Sequence, residues 1–444
     1  MIIFRRKIYD RMLQWKRERD GKTALLIKGA RRIGKSVIAE EFAKNEYQSY
    51  IKIDFSETSP EVRELFNDVS DLNYVFFRLQ LIFGVNLIER KSVIILDEIQ
   101  LAPMARQAIK HLVKDGRYDY IETGSLISIT KKSKEIVIPS EETKINMYPM
   151  DYEEFKWALG DNVTIDLLRE AFQNKRPLGE AVHRKMMRDF RVYMAVGGMP
   201  QAVSEYIASN DMSKVDIVKR EILELYNEDF MKLDESGHAA ALYDAIPAQL
   251  SKNTSRYMVS SVLSGEKIDR TSSIIKLMKD SMTTNVSYLS TDPNIGLALT
   301  ADNNRFKLYT SDTGLFITLV FKDDSETSDS IYQKLFIDKL SINLGYVYEN
   351  MVAQMLTATG KQLFYNIIPT NEGKKYYEID FLISEGHKIC PIEVKSGGYK
   401  THVSLDVFCE KYSERIKNKY LIYTKDLRWE KGVLYLPIYM TMFL

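Results

Sequence analysis

The stretch GARRIGKS, Gly29 to Ser36, constrains the architecture of this chain more than any other eight residues in it. It meets the pattern G-x-x-x-x-G-K-[ST] at every required position. The apolar run TALLIK (23–28) precedes it, and VIAEEFAK (37–44), with helical spacing, follows. A strand that turns through glycines into a helix aims backbone amides and the helix N-terminus at one spot, which suits an anion. Gly29, Ala30, Arg31, Arg32, Ile33 and Gly34 would wrap phosphates, Lys35 would reach the β- and γ-phosphates, and the Ser36 hydroxyl would hold Mg2+. Arg31 and Arg32 occupy the variable positions and are expected to face solvent or a partner. An ordinary glycine turn can also match the pattern, so a second motif must answer it.

SVIILDEIQ (92–100) is that answer. A buried-strand run, Val93 to Leu96, delivers Asp97 to its carboxyl end, where ligands bind in open α/β sheets. Asp97 would hold Mg2+ through water, and Glu98 would orient or deprotonate the attacking water. Two surface acids ending a strand are the bland alternative. No Asn-Lys-x-Asp sequence is present to read guanine, so the expected nucleotide is ATP. TGS (123–125) ends a further strand, placing Thr123 or Ser125 as a γ-phosphate sensor or as a plain turn. Arg106, Arg117, Arg256 and Arg305 are all candidates for an arginine finger. Strands alternating with helices over residues 1–150 predict a parallel sheet with helices on both faces.

Composition excludes several classes. Two cysteines, Cys390 and Cys409, make no disulfide framework, and five scattered histidines show no metal-ligand spacing. The opening MIIFRRKIYD has too short an apolar run for a signal peptide, and no run reaches transmembrane length. A cytoplasmic protein without a membrane partner is expected. The net charge of +1 conceals a mild asymmetry: 26 basic and 21 acidic residues in 1–150, 21 and 28 in 151–330, 15 and 12 in 331–444. A polyanion would meet the two ends more readily than the middle.

Residues 151–330 read as mostly helical up to Leu242, broken by VGGMP (196–200). A helix–turn–helix and a strand pair, ending in RFKLYTSDTGLF, then resemble a winged helix, and DDSETSDS (323–330) reads as an acidic linker. Residues 331–444 form the third expected domain. LGYVYENMVAQML has the apolar spacing of an amphipathic helix, and strands KYYEIDFLIS and KICPIEVK follow.

Strand alternation puts Glu378 and Asp380 on one face of the first of these strands. Glu393 and Lys395 share one face of the second, roughly 6.6 Å apart. The intervening EGHK turn predicts a hairpin with Asp380 next to Glu393, and Glu349 would look into the same pocket from its helix. Asp380 and Glu393 would ligate a second Mg2+ or Mn2+. Lys395 would orient or activate a water or offset phosphate charge, and Glu349 would complete the shell. This is the Asp…Glu-x-Lys arrangement of restriction-endonuclease-like folds. A hairpin with a charged solvent face is the alternative.

With these residues in hand, the chain resembles the prokaryotic AAA-type ATP-binding proteins that carry a trailing domain of unknown function, number 4143. The motifs are KGARRIGKS, ILDEIQ, TGS, MYPMDYEEF (147–155), GGMPQAV (197–203), FKLYTSDTGL (306–315), VYENMVAQML and EIDFLI…PIEVKSG. The resemblance implies an AAA-type ATPase core, a helical and winged-helix middle, and a C-terminal fold of the restriction-endonuclease class. It assigns Lys35, Ser36, Asp97 and Glu98 to the first site and Glu349, Asp380, Glu393 and Lys395 to the second. KKSKEIVIPSEETK (131–144) does not align readily. Two functions follow as expectations. One is an ATPase whose nucleotide state controls a nuclease-like domain acting on DNA. The other is an ATP-dependent switch or scaffold binding DNA, a protein partner or itself; a translocating motor would further require a ring and an arginine in trans.

Overall fold

The computed structural model describes residues 2–124, 138–252, 254–263, 268–294, 296–323, 327, 329–337, 345–370 and 375–444. The expectation for Ser125, and that for 131–144 as far as residue 137, lie outside the described residues. The chain divides into two units, Met1–Tyr148 with Asp280–Met282, and Pro149–Lys279 with Thr283–Leu444.

The first unit is built on five strands: β1 (Ala24–Lys28), β2 (Ser49–Asp54), β3 (Ser92–Asp97), β4 (Asp119–Gly124) and β5 (Glu142–Asn146). All pair in parallel, in the order β2-β3-β4-β1-β5. Every residue of β3 and β4 is buried, as a parallel sheet covered on both faces requires. Ile51, Ile53, Leu96 and Tyr120 pack with Phe76, Leu79, Ile109 and Leu112 from the helices Leu72–Phe83 and Pro103–Asp115. The helix Lys35–Glu46 buries Ile38, Ala39, Phe42 and Ala43, two adjacent pairs four residues apart and so on one stripe. The expected α/β class with a parallel sheet is what this unit shows.

The second unit carries eight strands: β6 (Thr284–Ser290), β7 (Ala301–Thr310), β8 (Leu363–Pro369), β9 (Tyr376–Glu385), β10 (Lys388–Lys395), β11 (Lys419–Tyr423), β12 (Arg428–Glu430) and β13 (Val433–Pro437). Their order is β12-β13-β11-β10-β9-β8-β6-β7. The hairpin β6–β7 therefore does not form the wing of a separate middle domain. β6 also pairs in parallel with β8, so strands from both sides of residue 331 share one sheet. The reason is physical. β6 is buried at six of its seven positions, and a buried strand with one open edge would leave its amides and carbonyls unpaired. Of the acidic stretch expected as a linker, Thr327 is held: its amide donates to Asp216 Oδ2 at 2.9 Å.

The helix Gly345–Ala358 packs on β6, β7, β8 and β10 and is buried almost all round, not amphipathic. Two of its polar side chains bond buried amides. Asn350 Oδ1 accepts from the Thr310 amide at 2.8 Å, and Gln354 Oε1 from the Thr313 amide at 2.7 Å.

The GGMP and SDTGL motifs meet each other. Asp312 caps the helix Thr313–Val320 by accepting from the Leu315 amide at 2.9 Å, and its other oxygen accepts from the Gly198 amide. A Cβ on Gly198 would lie 2.1 Å from the Met150 carbonyl oxygen, and one on Gly314 would lie 2.5 Å from that of Val196. These glycines exist because backbones touch there.

Candidate functional site

The loop Gly29–Ser36 joins β1 to the helix Lys35–Glu46. A Cβ on Gly29 would lie 2.4 Å from the Met147 carbonyl oxygen, so only glycine fits. Arg32 at φ 68° and Gly34 at φ 91° turn the chain left-handedly, the geometry that gathers consecutive amides into an anion-binding concavity. Ala30 and Ile33 are buried and anchor the loop, Arg31 is half-buried and Arg32 exposed. Buried Lys35 folds back over the loop, donating to the carbonyls of Gly29 at 3.1 Å and Ala30 at 2.8 Å.

β4 lies between β1 and β3, and its Thr123 bridges the gap. The Thr123 hydroxyl and the Ser36 hydroxyl, the latter at 2.8 Å, both donate to Asp97 Oδ1. Lys52 on β2 stands 3.7 Å from Asp97 Oδ2 and 3.0 Å from Glu40. Glu98 takes the left-handed conformation at φ 53°, donates its amide to Asp97 at 3.2 Å, and accepts from Gln100 Nε2. A non-glycine residue held there is strained by about 1–3 kcal/mol, which its surroundings must offset.

The sequence reading passed over Arg6. Buried to 6% exposure, it donates to the Ile33 carbonyl at 2.9 Å and to the Tyr148 carbonyl at 2.6 Å, bracing the loop. Arg106 is removed from the finger candidates: it is buried and makes two 3.0 Å bonds to the Glu142 carboxylate. Glu122 lies nearby, buried, and burial followed by the charge of Glu142 pushes its carboxyl well above the usual range. Arg117 is bonded to Asp115 and Asn73 at 2.7 and 2.8 Å, Arg305 is half-buried, and Arg256 is exposed.

In the second unit, β9 and β10 form the expected antiparallel hairpin, its last regular rung, Phe381 opposite Ile392, adjoining Asp380 and Glu393. The Val394 amide donates to Asp380 Oδ2 at 2.7 Å, and Lys395 Nζ lies 2.8 Å from Glu393 Oε1. The face carrying these groups is only partly solvated: Lys395, Glu378 and Asp380 are half-buried, Glu393 is 3% exposed, and its Oε2 has no hydrogen-bond partner among the described residues. Oxygens of Glu349, Glu378 and Asp380 lie within 4.8 Å of one another, a spacing that suits a hard cation with oxygen ligands. Glu393 stands outside that trio, and Glu378 takes its place.

Two groups escaped the sequence reading because they lie on β7, outside the expected third domain. Buried Lys307 donates to Glu349 Oε1 at 2.9 Å and to Glu378, and the Tyr309 hydroxyl donates to the same Glu349 oxygen at 2.6 Å. Burial, then the charges of Glu349, Glu378 and Glu393, push the Asp380 carboxyl well above its ordinary range, against the opposing pull of Lys307. Burial draws the Lys307 ammonium down, but Glu349 and Glu378 outweigh it and hold the group well above an ordinary lysine. The FKLY motif was the available signal for Lys307, whose β7 position shares its face with Tyr309.

The first unit thus has the fold of a phosphate-loop ATPase domain. Comparison with known proteins agrees: residues 21–156 match the AAA domain family, residues 187–326 a domain of unknown function (DUF8612), and residues 344–440 a domain of unknown function (DUF4143). The resemblance drawn from the motifs is met for the AAA domain and for the trailing domain. An uncharacterized protein of Methanocaldococcus jannaschii is 25% identical over 198 residues, 42% of this chain and 40% of that protein. The match thus spans well under half the length of that curated relative. A Walker-type ATPase of Pyrococcus abyssi aligns over 72% of this chain and 96% of its own, with TM-score 0.42 and 16% identity. PCH-2 of C. elegans aligns over 46% of this chain and 66% of its own, with TM-score 0.17 and 15% identity. The AAA match supports ATP binding. Among the described residues no helix is long and apolar enough to cross a membrane.

Proposed function

We propose that this protein is an ATPase whose nucleotide state controls a metal-dependent, nuclease-like site on its C-terminal sheet, acting on DNA. The observation that supports hydrolysis is the meeting of the Ser36 and Thr123 hydroxyls on one oxygen of Asp97. A hydroxyl and a carboxylate 2.8 Å apart are the oxygen donors Mg2+ prefers, so Ser36 and Asp97 would hold it. Bound there, Mg2+ supplies charge neutralisation across the β- and γ-phosphates. Lys35 exchanges its two carbonyl partners for phosphate oxygens, and Gly29 to Gly34 donate amides. Glu98 orients or deprotonates the attacking water once Gln100 releases it, and Thr123 keeps Asp97 aimed.

The test is ATP binding and turnover in Lys35→Ala and Glu98→Gln. Lys35→Ala loses ATP binding. Glu98→Gln keeps binding while turnover falls by about 10²-fold or more, the loss expected for a general base. Undiminished turnover in Glu98→Gln would sink that assignment.

For the second site, Glu349, Glu378 and Asp380 would hold a second Mg2+ or Mn2+, with Glu393 and Lys395 beside it. Cleavage of several DNA forms with Mg2+ or Mn2+ tests it, and Asp380→Ala should abolish cutting while sparing ATP binding. A second reading has its own support. Lys307 already bonds two of the three carboxylates, as expected of a C-terminal fold that binds DNA, a protein partner or a second copy without cutting. In that case Asp380→Ala leaves partner binding untouched, and mass measured with and without ATP reports self-association.

A further inference from the structure

The acidic cluster of the second unit contains a cation of its own, and that cation is part of the chain. Lys307 is buried to 6% exposure, and its ammonium contacts Glu349 and Glu378. Those are two of the three carboxylates whose oxygens lie within 4.8 Å of one another. The third, Asp380, receives the Val394 amide, and the buried Oε2 of Glu393 has no hydrogen-bond partner among the described residues. Four carboxylates face two ammonium groups, Lys307 and Lys395, so the cluster is short of positive charge. A buried carboxylate oxygen without a donor is costly and is normally satisfied by a hydrogen bond or a cation.

We propose that Lys307 is a tethered counter-ion that fills the cation position of this site and keeps divalent metal out until its side chain withdraws. The inference rests on the reading of Glu349, Glu378 and Asp380 as a metal site. A metal ion would sit about 2.0–2.6 Å from the oxygens that the ammonium now engages, so lysine and metal compete for the same lone pairs. The lysine is the part able to move. Its strand is fixed to the helix carrying Glu349 by the Thr310 amide and Asn350, 2.8 Å apart, whereas its four-carbon stem turns through rotamers. Metal entry is therefore a side-chain event, and the DNA chemistry of the site is off in the resting chain.

The experiment uses the full chain without nucleotide, titrated with MnCl2 and read by the electron-paramagnetic-resonance signal of free Mn2+. Wild type is compared with Lys307→Met, Lys307→Arg and the double variant Lys307→Met/Asp380→Asn. Lys307→Met should gain one Mn2+ site, about tenfold or more tighter than anything in wild type. That site should be missing in the double variant, and Lys307→Arg, which keeps the charge, should stay closed. Lys307→Gln replaces the methionine variant if the latter does not fold and carries the same expectation. Equal, tight Mn2+ binding in wild type and Lys307→Met overturns the inference but leaves the metal reading standing. No binding in either overturns both.

Discussion

Asp312 accepts the Gly198 backbone amide at 2.6 Å across 114 residues of chain, while its other oxygen caps the helix Thr313–Val320. One buried carboxylate thus satisfies two amides from distant segments. Burial raises this carboxyl, and the Gly198 and Leu315 amides pull it back.

Replacing that carboxylate should be felt by the second unit as a whole. Asp312→Ala removes an N-cap and strands a buried amide, so stability should fall by about 2–4 kcal/mol. Chemical denaturation followed by fluorescence measures it. A change under about 0.5 kcal/mol, the range of surface substitutions, would mean the clasp is not formed.

Thr123 donates to Asp97 from the strand lying between the two motifs. Thr123→Val keeps the shape and removes the hydroxyl. ATP turnover should drop roughly tenfold, the worth of one hydrogen bond to a charged group, with ATP affinity nearly unchanged. Steady-state kinetics beside an equilibrium binding curve separates the two, and equal turnover in both proteins would remove Thr123 from the site.

Arg106→Ala should behave as a structural mutation. It leaves the buried Glu142 carboxylate close to Glu122 with the exposed Lys144 ammonium, 3.4 Å away, as its remaining ion-pair partner, at a cost of about 3 kcal/mol. The expected result is a large fall in the melting temperature. A stably folded variant that binds ATP normally but no longer hydrolyses it would return Arg106 to the arginine-finger candidates.

His183, 7% exposed, contacts the Tyr439 hydroxyl at 2.9 Å and the Thr424 carbonyl at 3.1 Å, and burial lowers its pKa from the ordinary 6.5. Above that value both folded and unfolded chains keep the ring neutral, and stability is full. As pH falls through it, the unfolded chain takes up a proton that the folded one resists, so stability is lost on acidification. Denaturation midpoints at pH 7.5 and 5.5 should differ less in His183→Gln than in wild type, and an unchanged difference would count against this origin.

Features held by local order were legible in the sequence. The strand–glycine–helix order placed Lys35 and Ser36, the apolar run ending in Asp97 placed that acid at a strand end, and alternation put Glu378 and Asp380 on one face. Features decided by which strand pairs with which were not. The β6–β7 hairpin reads the same whether it forms a wing or joins a larger sheet, so Lys307 and Tyr309 were assigned to the wrong neighbourhood. Arg6 was missed because a lone arginine near the start carries no spacing signal for carbonyls 27 and 142 residues away. Asn350 and Gln354 misled in another way: polar residues on a helix read as a wet face, yet here they bond buried amides.

The pairing of β6 with β8 bears on how such chains diversify. A crossover at residue 330 would hand one descendant a sheet with an unpaired edge and no Lys307, and leave the other a hairpin without its neighbour. The inheritable module is therefore longer than the stretch bearing the acidic motif. Recombination that swaps this region between relatives should be tolerated with joints near Pro149, where the Gly198–Asp312 clasp, strand, lysine and carboxylates travel as one block.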